Sequence, residues 1–307
     1  SNTKAKSGPK TKTEKKVKKT CALNYFTLSL YQQKKSEIMF TVEELKAKAP
    51  AVFRTAEEGA KAGASKHYQF IPTIDVIDDL SKFGWNIHDV GQQKSKTSPD
   101  TTRHLVRFRH QDFGAVGVGG NVPEILFTNS HDRTRSMNFH VGLFRLICSN
   151  GLVVADKTFG KLNLRHMGYS FENVREMIGD ITEKLPVVFD TIKTFERTEM
   201  TEEARKDFAM KAFAIRYPEY IKENNLADLS QIALSVDVNG LLVPQRADDA
   251  PNNLWTVFNR VQEKLVNGQF KHLGSDNKVR QARPIKNITL NLDINEGLWQ
   301  LANTYAQ

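Results

Sequence analysis

The spacing of apolar residues turns strand-like after Gly84 in this 307-residue chain and returns to a helical period near Ser170, and those changes constrain the fold class. Beyond Ser170, Val174, Ile178, Ile181, Leu185, Val188, Ile192 and Phe195 recur with the 3.6-residue period of a helix that buries one face. Pro186 falls inside this run and predicts a kink or a break. Between Gly84 and Ser170 the apolar residues come in short runs rich in β-branched and aromatic side chains: Trp85–Val90, Arg103–His110, Glu124–Asn129, Met137–Cys148 and Thr158–Leu164. Polar or glycine-rich stretches such as Gln92–Thr101 and Gly114–Asn121 separate them. The expected class is α+β, with a β-rich antiparallel central sheet flanked by helices.

The flanks carry helix signals of their own. Thr41-Val42-Glu43-Glu44 reads as a capping box opening a helix that stops at Pro50, and a second short helix is expected over Thr55–Ala62. A third starts at Pro72-Thr73 with Ile74, Ile77, Leu80 and Phe83 as its stripe and Gly84 as its stop. Helices are also expected at Glu202–Ile215, at Leu254–Val266 between an Asn253 cap and a Gly268 stop, and at Asn295–Tyr305, with one more strand over Ile285–Leu292. Trp85, Trp255 and Trp299 read as core anchors. The chain divides into a basic tail (1–20), a helical lead-in (21–65), a β-rich domain with its long following helix (66–200) and a mostly helical C-terminal region packed on it (201–307).

Charge is unevenly placed. The whole chain is +9, yet residues 1–20 hold eight lysines against Glu14, leaving a body of only +2. That excludes a histone-like body coated in positive charge. The tail, with Lys15, Lys16, Lys18 and Lys19 at its end, has almost nothing to bury and is expected to be disordered in isolation, a non-specific binder of polyanions or a solubilising segment. Within the body, residues 94–166 hold eleven bases against five acids, offset by −4 elsewhere. Alternation along Arg103–His110 puts Arg103, Leu105, Arg107 and Arg109 on one face, and His104, Val106, Phe108 and His110 on the other, core-facing side. Three guanidiniums along one strand can track a phosphate backbone, with Lys94, Lys96, Arg133 and Arg135 beside them. The alternative is an outer face whose arginines pair with acids on neighbouring strands.

Several motifs are set aside. There is no Walker A loop, and Gly114, Gly117, Gly119 and Gly120 lie between strands rather than before a helix. Cys21 and Cys148, the only cysteines, cannot build a disulfide framework or a zinc site unaided, which fits a reducing, intracellular setting. Cys148 reads as a small core hydrophobe. No apolar run reaches the about 18–20 residues of a membrane span, and Asn24, Thr27 and Ser29 interrupt the signal-peptide-like stretch Cys21–Tyr31. Asn129-Ser130-His131-Asp132, with His140 and Arg145 downstream, is either a catalytic or metal-binding corner or an Asx-type turn. No cofactor and no resident metal are expected.

A longer pattern ties these pieces together. Thr102–His110, Pro123-Glu124-Ile125, Asn129–Asp132, Gly142–Leu152 and the later blocks Asn253–Glu263 and Asn295–Leu301 resemble the phage/plasmid-related proteins grouped as domain of unknown function 932, over roughly residues 66–305. Arg133 stands where that pattern has glycine and Lys264 where it has asparagine. The β-meander followed by a long helix is also similar in outline to the core of single-strand annealing proteins. The resemblance implies a mobile-element origin and an association with replication or recombination modules. The expected function is a phage-type, non-enzymatic DNA-binding protein contacting single strands, for annealing, protection or recombination. Phosphates would be held by Arg103, Arg107 and Arg109 with Lys94, Lys96, Arg133 and Arg135, and Phe113 would stack on bases. Expected partners are DNA, further copies of the chain in a homo-oligomer, and other phage replication or virion proteins, in the host cytoplasm or a virion, with no membrane. The alternatives are a virion or host-interaction protein whose tail contacts DNA, and a nuclease or other hydrolase centred on His131, Asp132 and His140.

Overall fold

Five strands form one antiparallel meander in which each strand pairs with the next in sequence: β1 (Trp85–Gln92), β2 (His104–His110), β3 (Asn121–Asn129), β4 (Asn138–Arg145) and β5 (Gly151–Val154). The computed structural model describes residues 41–55, 70–96, 98–114, 120–132, 137–145, 151–154, 170–224, 229–274 and 276–306, all within one compact unit, Met39–Gln307. The expected strand Thr158–Leu164, the basic tail, both cysteines, and all but Thr55 of the expected helix Thr55–Ala62 lie outside the described residues. Among the described residues the sheet's fifth strand is Gly151–Val154, a four-residue run too short to carry a periodic signal.

The helices are α1 (Val42–Lys48), α2 (Thr73–Ser81), α3 (Phe171–Arg197), α4 (Glu202–Arg216), α5 (Pro218–Glu223), α6 (Leu229–Ser235), α7 (Val238–Leu242), α8 (Leu254–Asn267) and α9 (Ile288–Tyr305). A small hairpin, β6 (Lys271–Leu273) and β7 (Val279–Gln281), sits between α8 and α9. The class is α+β, as the change of period requires.

Local chemistry accounts for most of the boundaries. The Thr41 hydroxyl accepts from the Glu44 amide at 3.2 Å while Glu44 accepts from the Thr41 amide at 2.8 Å, the reciprocal pairing of a capping box. Asn253 accepts from the Thr256 amide at 2.9 Å to open α8, and Gly268 closes it in the left-handed region at φ 69°. In α2 the buried stripe is Thr73, Val76, Ile77 and Leu80, with Ile74 turned partly outward, so the apolar face is rotated from the expected one.

Pro186 does not interrupt α3, which runs 27 residues. Its missing N–H would have served the carbonyl of Thr182, and both residues are exposed, so water can take that place. The seven periodic residues of α3, together with Met177, are all buried.

The segment Ile285–Leu292, expected as a strand, is irregular to Asn287 and helical from Ile288. Asn287 caps α9 by accepting from the Leu290 amide at 3.0 Å. The alternation Ile288, Leu290, Leu292 looks like period two, but it also contains an i,i+4 pair. Ile288 and Leu292 meet Leu105 and Leu126 on the outer face of the sheet, while Leu290 is exposed.

One core runs through the described residues. Val106, Phe108, Ile125, Phe127, Phe139 and Val141 on the inner face of the sheet join the α3 stripe and Trp255, Phe258 and Trp299 in the same cluster. All three tryptophans are buried. Helix α8 is buried almost all round, so its polar side needs partners. Arg260 donates to the carbonyls of Leu242 (2.9 Å) and Pro251 (2.8 Å), Glu263 takes both Nη atoms of Arg246, and Lys264 reaches the carbonyls of Gly240 and Val243. Burial lowers the pKa of Lys264, which carbonyl dipoles rather than a bonded carboxylate hold.

Candidate nucleic-acid interface

Strand β2 presents the alternation expected of it. His104, Val106 and Phe108 are fully buried on the core side, and Arg103, Leu105, Arg107 and Arg109 share the outer face. The register then decides what the arginines do. Arg109 lies directly opposite Glu124 on β3, and Arg107 is diagonal to it. Arg107 Nε donates to Glu124 Oε2 at 2.8 Å, and Arg109 Nε donates to Oε1 at 2.8 Å. Glu124 is 1% exposed, so one buried carboxylate is clamped between two guanidiniums. Arg107 also lies 3.6 Å from Asp89 on β1, which Lys48 approaches at 3.7 Å. Burial pushes the Arg109 pKa down, against the pull of Glu124. Arg103 is buried and donates to the Thr128 hydroxyl at 3.1 Å. The three expected phosphate contacts are therefore engaged inside the sheet. Lys94 and Lys96 are exposed on the loop after β1, whereas Arg133, Arg135 and the tail lysines lie outside the described residues. Phe113 is half-buried against His110 (4.6 Å) and Trp85 (6.0 Å).

The Asn129–Asp132 corner ties the end of β3 to α2. Asn129 Nδ2 donates to the Ile71 carbonyl and to Thr73 Oγ1, and its Oδ1 accepts from the Ser130 amide. His104 Nε2 lies 2.7 Å from Thr73 Oγ1, and its Nδ1 lies 3.0 Å from the Thr102 carbonyl. Burial pushes the His104 pKa down to about 4, so the ring is neutral near pH 7. The neutral tautomer follows from its partners: Nδ1–H donates to Thr102, and Nε2 accepts from the Thr73 hydroxyl. His131 is buried against Phe70 (4.8 Å) and His104 (5.2 Å), and Ser130 donates to the exposed Asp132. His140 is not with them. It faces Leu126 in register, on the outer side of the sheet, with Nδ1 3.1 Å from Glu296 of α9. The three residues proposed for a catalytic centre thus fall on two faces. Among the described residues no group of three or more His, Cys, Asp or Glu is placed to hold a metal ion.

A different basic surface lies beside the hairpin. A cavity of about 780 Å³ is lined by Arg216, Arg280, Arg283 and Lys286, with Tyr217 and His272 among its other walls. Among the described residues no carboxylate lines it. Asp276, outside the lining, bonds Arg280 at 3.0 Å, and Arg283 and Lys286 have no ion-pair partner among the described residues. Ile285, Lys286 and Asn287 also line a smaller cavity that reaches Arg107 and Leu105, so the basic surface continues toward the outer face of β2.

Backbone constraints hold this groove in place. Gly268, already in the left-handed region, lets the chain at 282–284 pass so close that a Cβ there would sit 2.5 Å from the Arg283 carbonyl carbon. Ala282 donates to Phe270 (3.0 Å), and Ile285 donates to Val266 (2.9 Å). Arg216, the last residue of α4, donates through Nη2 to the Arg283 carbonyl, while its guanidinium lies 5.1 Å from the Tyr217 ring and 5.2 Å from the Phe270 ring. Burial lowers the Arg216 pKa and raises that of Tyr217.

Sequence reasoning passed over this groove, although the signal was present. From Asn277 to Leu292 there are four bases (Lys278, Arg280, Arg283, Lys286) and no acid, inside a C-terminal region whose overall charge hides them.

The same residues can be set beside known proteins. The profile described as Domain of unknown function (DUF932) matches residues 62–299, well over half of the chain. The chain belongs to the DUF932 family. The match takes in the sheet, α3, the corner at Asn129–Asp132 and the whole basic groove. The DUF932 chain is similar to two proteins of Escherichia coli strain K12. It is 28% identical over 274 residues to UPF0380 protein YfjQ, covering 86% of this chain and 90% of that one. It is 29% identical over 270 residues to UPF0380 protein YafZ, covering 85% and 90%. No solved structure matches it. Among the described residues no helix is long and apolar enough to cross a membrane.

Proposed function

We propose that this DUF932 protein binds nucleic acid without acting on it chemically, and that its ligand is single-stranded DNA in annealing, protection or recombination in a phage or mobile-element setting. The observation that carries the reading is the groove beside the hairpin, where Arg216, Arg280, Arg283 and Lys286 line one cavity with no carboxylate among its described lining residues. Guanidinium and ammonium groups gathered without acids suit a phosphate backbone, whose binding releases counterions. The arginines of β2 contribute less, because Glu124 already takes their hydrogen bonds. The N-terminal lysines add long-range attraction and non-specific affinity.

Titration of a fluorescent oligonucleotide against salt, with the full chain and with a chain starting at Cys21, tests this. The shortened chain is expected to keep binding at low salt with a reduced salt slope. No binding by the shortened chain would leave the tail as the sole source of affinity. Annealing calls for several copies along one strand, so the protein is expected to sediment as a homo-oligomer when oligonucleotide is present.

A further inference from the structure

The groove is more than a patch of charge, because its floor is aromatic. Tyr217 and His272 lie with ring centroids 4.9 Å apart at an interplanar angle of 36°, both half-buried and both in the cavity wall. Beneath them Phe213 is fully buried, 4.9 Å from Tyr217 and 6.1 Å from His272. Phe270, also buried, lies 6.0 Å from His272. This backing holds the two upper rings while leaving part of each open to the groove. Arg216 packs against Tyr217 and Phe270, with Tyr217 helping to hold its charge, and its buried Nη1 has no hydrogen-bond partner among the described residues. A buried guanidinium donor without an acceptor, at the rim of a cavity, is the place for an anionic oxygen.

Resting on the nucleic-acid reading above, we propose that the groove is a single-strand site in which Tyr217 and His272 stack on bases while Arg216, Arg283 and Lys286 hold the adjoining phosphates. Every base has a π-face, so stacking on such a platform binds unpaired strands with little regard to sequence. The size is that of a ligand site: a cavity of about 780 Å³ lies in the roughly 300–1,000 Å³ range of ligand pockets. In a duplex the bases are stacked on each other and their faces are closed to a protein ring. An acidic peptide or an anionic lipid surface would use the cations but leave the aromatic floor without a role.

The test compares full-length protein binding to oligo(dT) and to a length-matched abasic sugar-phosphate strand, and maps photo-crosslinks from an oligonucleotide carrying 5-iodouracil. Wild type is expected to prefer oligo(dT) by at least about fivefold, the lower end of one stacked base. Tyr217→Ala should lose that preference and keep its affinity for the abasic strand, and Tyr217→Phe should retain both. Crosslinks should fall on Tyr217 or His272. Should Tyr217→Ala misfold, as judged by its thermal unfolding, the wild-type preference and the crosslink map still decide. Equal binding of both strands, crosslinks only outside the groove, or tighter binding to phosphatidylserine vesicles than to either strand overturns the stacking site. The first two outcomes leave the nucleic-acid reading standing. Absence of binding to either strand at low salt removes both.

Discussion

Two sets of arginines differ in what lies opposite them. On β2, Arg107 and Arg109 share a sheet face with a buried carboxylate, Glu124 of β3, which lies opposite Arg109 and diagonal to Arg107. Beside the hairpin, Arg283 and Lys286 stand in an irregular segment with no acid among the described residues of the cavity they line. Both sets are basic in sequence. The first is built into the sheet, and the second is exposed. What separates them is pairing register, which depends on contacts made far along the chain.

The strongest way to break this comparison is Glu124→Gln. If the β2 arginines are structural, losing their shared carboxylate takes the negative charge from between two partly buried guanidiniums, with Asp89 still 3.6 Å from Arg107, and costs about 3 kcal/mol, read as a lower urea midpoint. A near-neutral result would mean that the two arginine sets are equivalent after all.

The core side of the same strand gives the next largest effect. His104 protonates near pH 6.5 in an unfolded chain and near pH 4 when folded. The unfolded state therefore binds the extra proton between those values. Stability should fall as pH drops from about 6.5 to about 4, by roughly 3 kcal/mol in total. Urea unfolding at pH 7 and at pH 4.5 measures the change, and His104→Gln should flatten that part of the slope.

On the groove side, Gly268→Ala places a Cβ against the Arg283 backbone at a positive φ. The backbone conformation alone should cost about 1–2 kcal/mol. Oligonucleotide affinity should also fall, because the segment that carries Arg283 must shift. Unchanged affinity would separate the groove from its glycine support. The smallest effect is expected from Lys94→Gln with Lys96→Gln. Both side chains are exposed, so stability should stay within about 0.5 kcal/mol, and the salt slope should drop less than for a groove variant.

The sequence made the meander, the long amphipathic helix, the capping box and the α8 boundaries legible, because each depends on residues close together in the chain. The outer face of β2 was half legible. Alternation predicts which side chains share a face, but whether Arg109 meets Glu124 depends on how β2 pairs with β3. Ile285–Leu292 was misread because Ile288, Leu290 and Leu292 satisfy period two until the Asn287 cap and the contact with Leu126 select a helix. The groove stayed hidden for a different reason. Arg216 and Arg283 are far apart in sequence, and only the packing of the hairpin on the end of α4 brings them together.

The most direct measurement is the salt dependence of single-strand binding by full-length wild type and by Arg283→Gln/Lys286→Gln. If the groove holds phosphates, removing two cations should lower the log–log salt slope by about 1.4, at roughly 0.7 per single-strand phosphate contact. Thermal unfolding of the variant should match wild type. An unchanged slope, with all of the salt dependence instead lost on removing residues 1–20, would contradict the account.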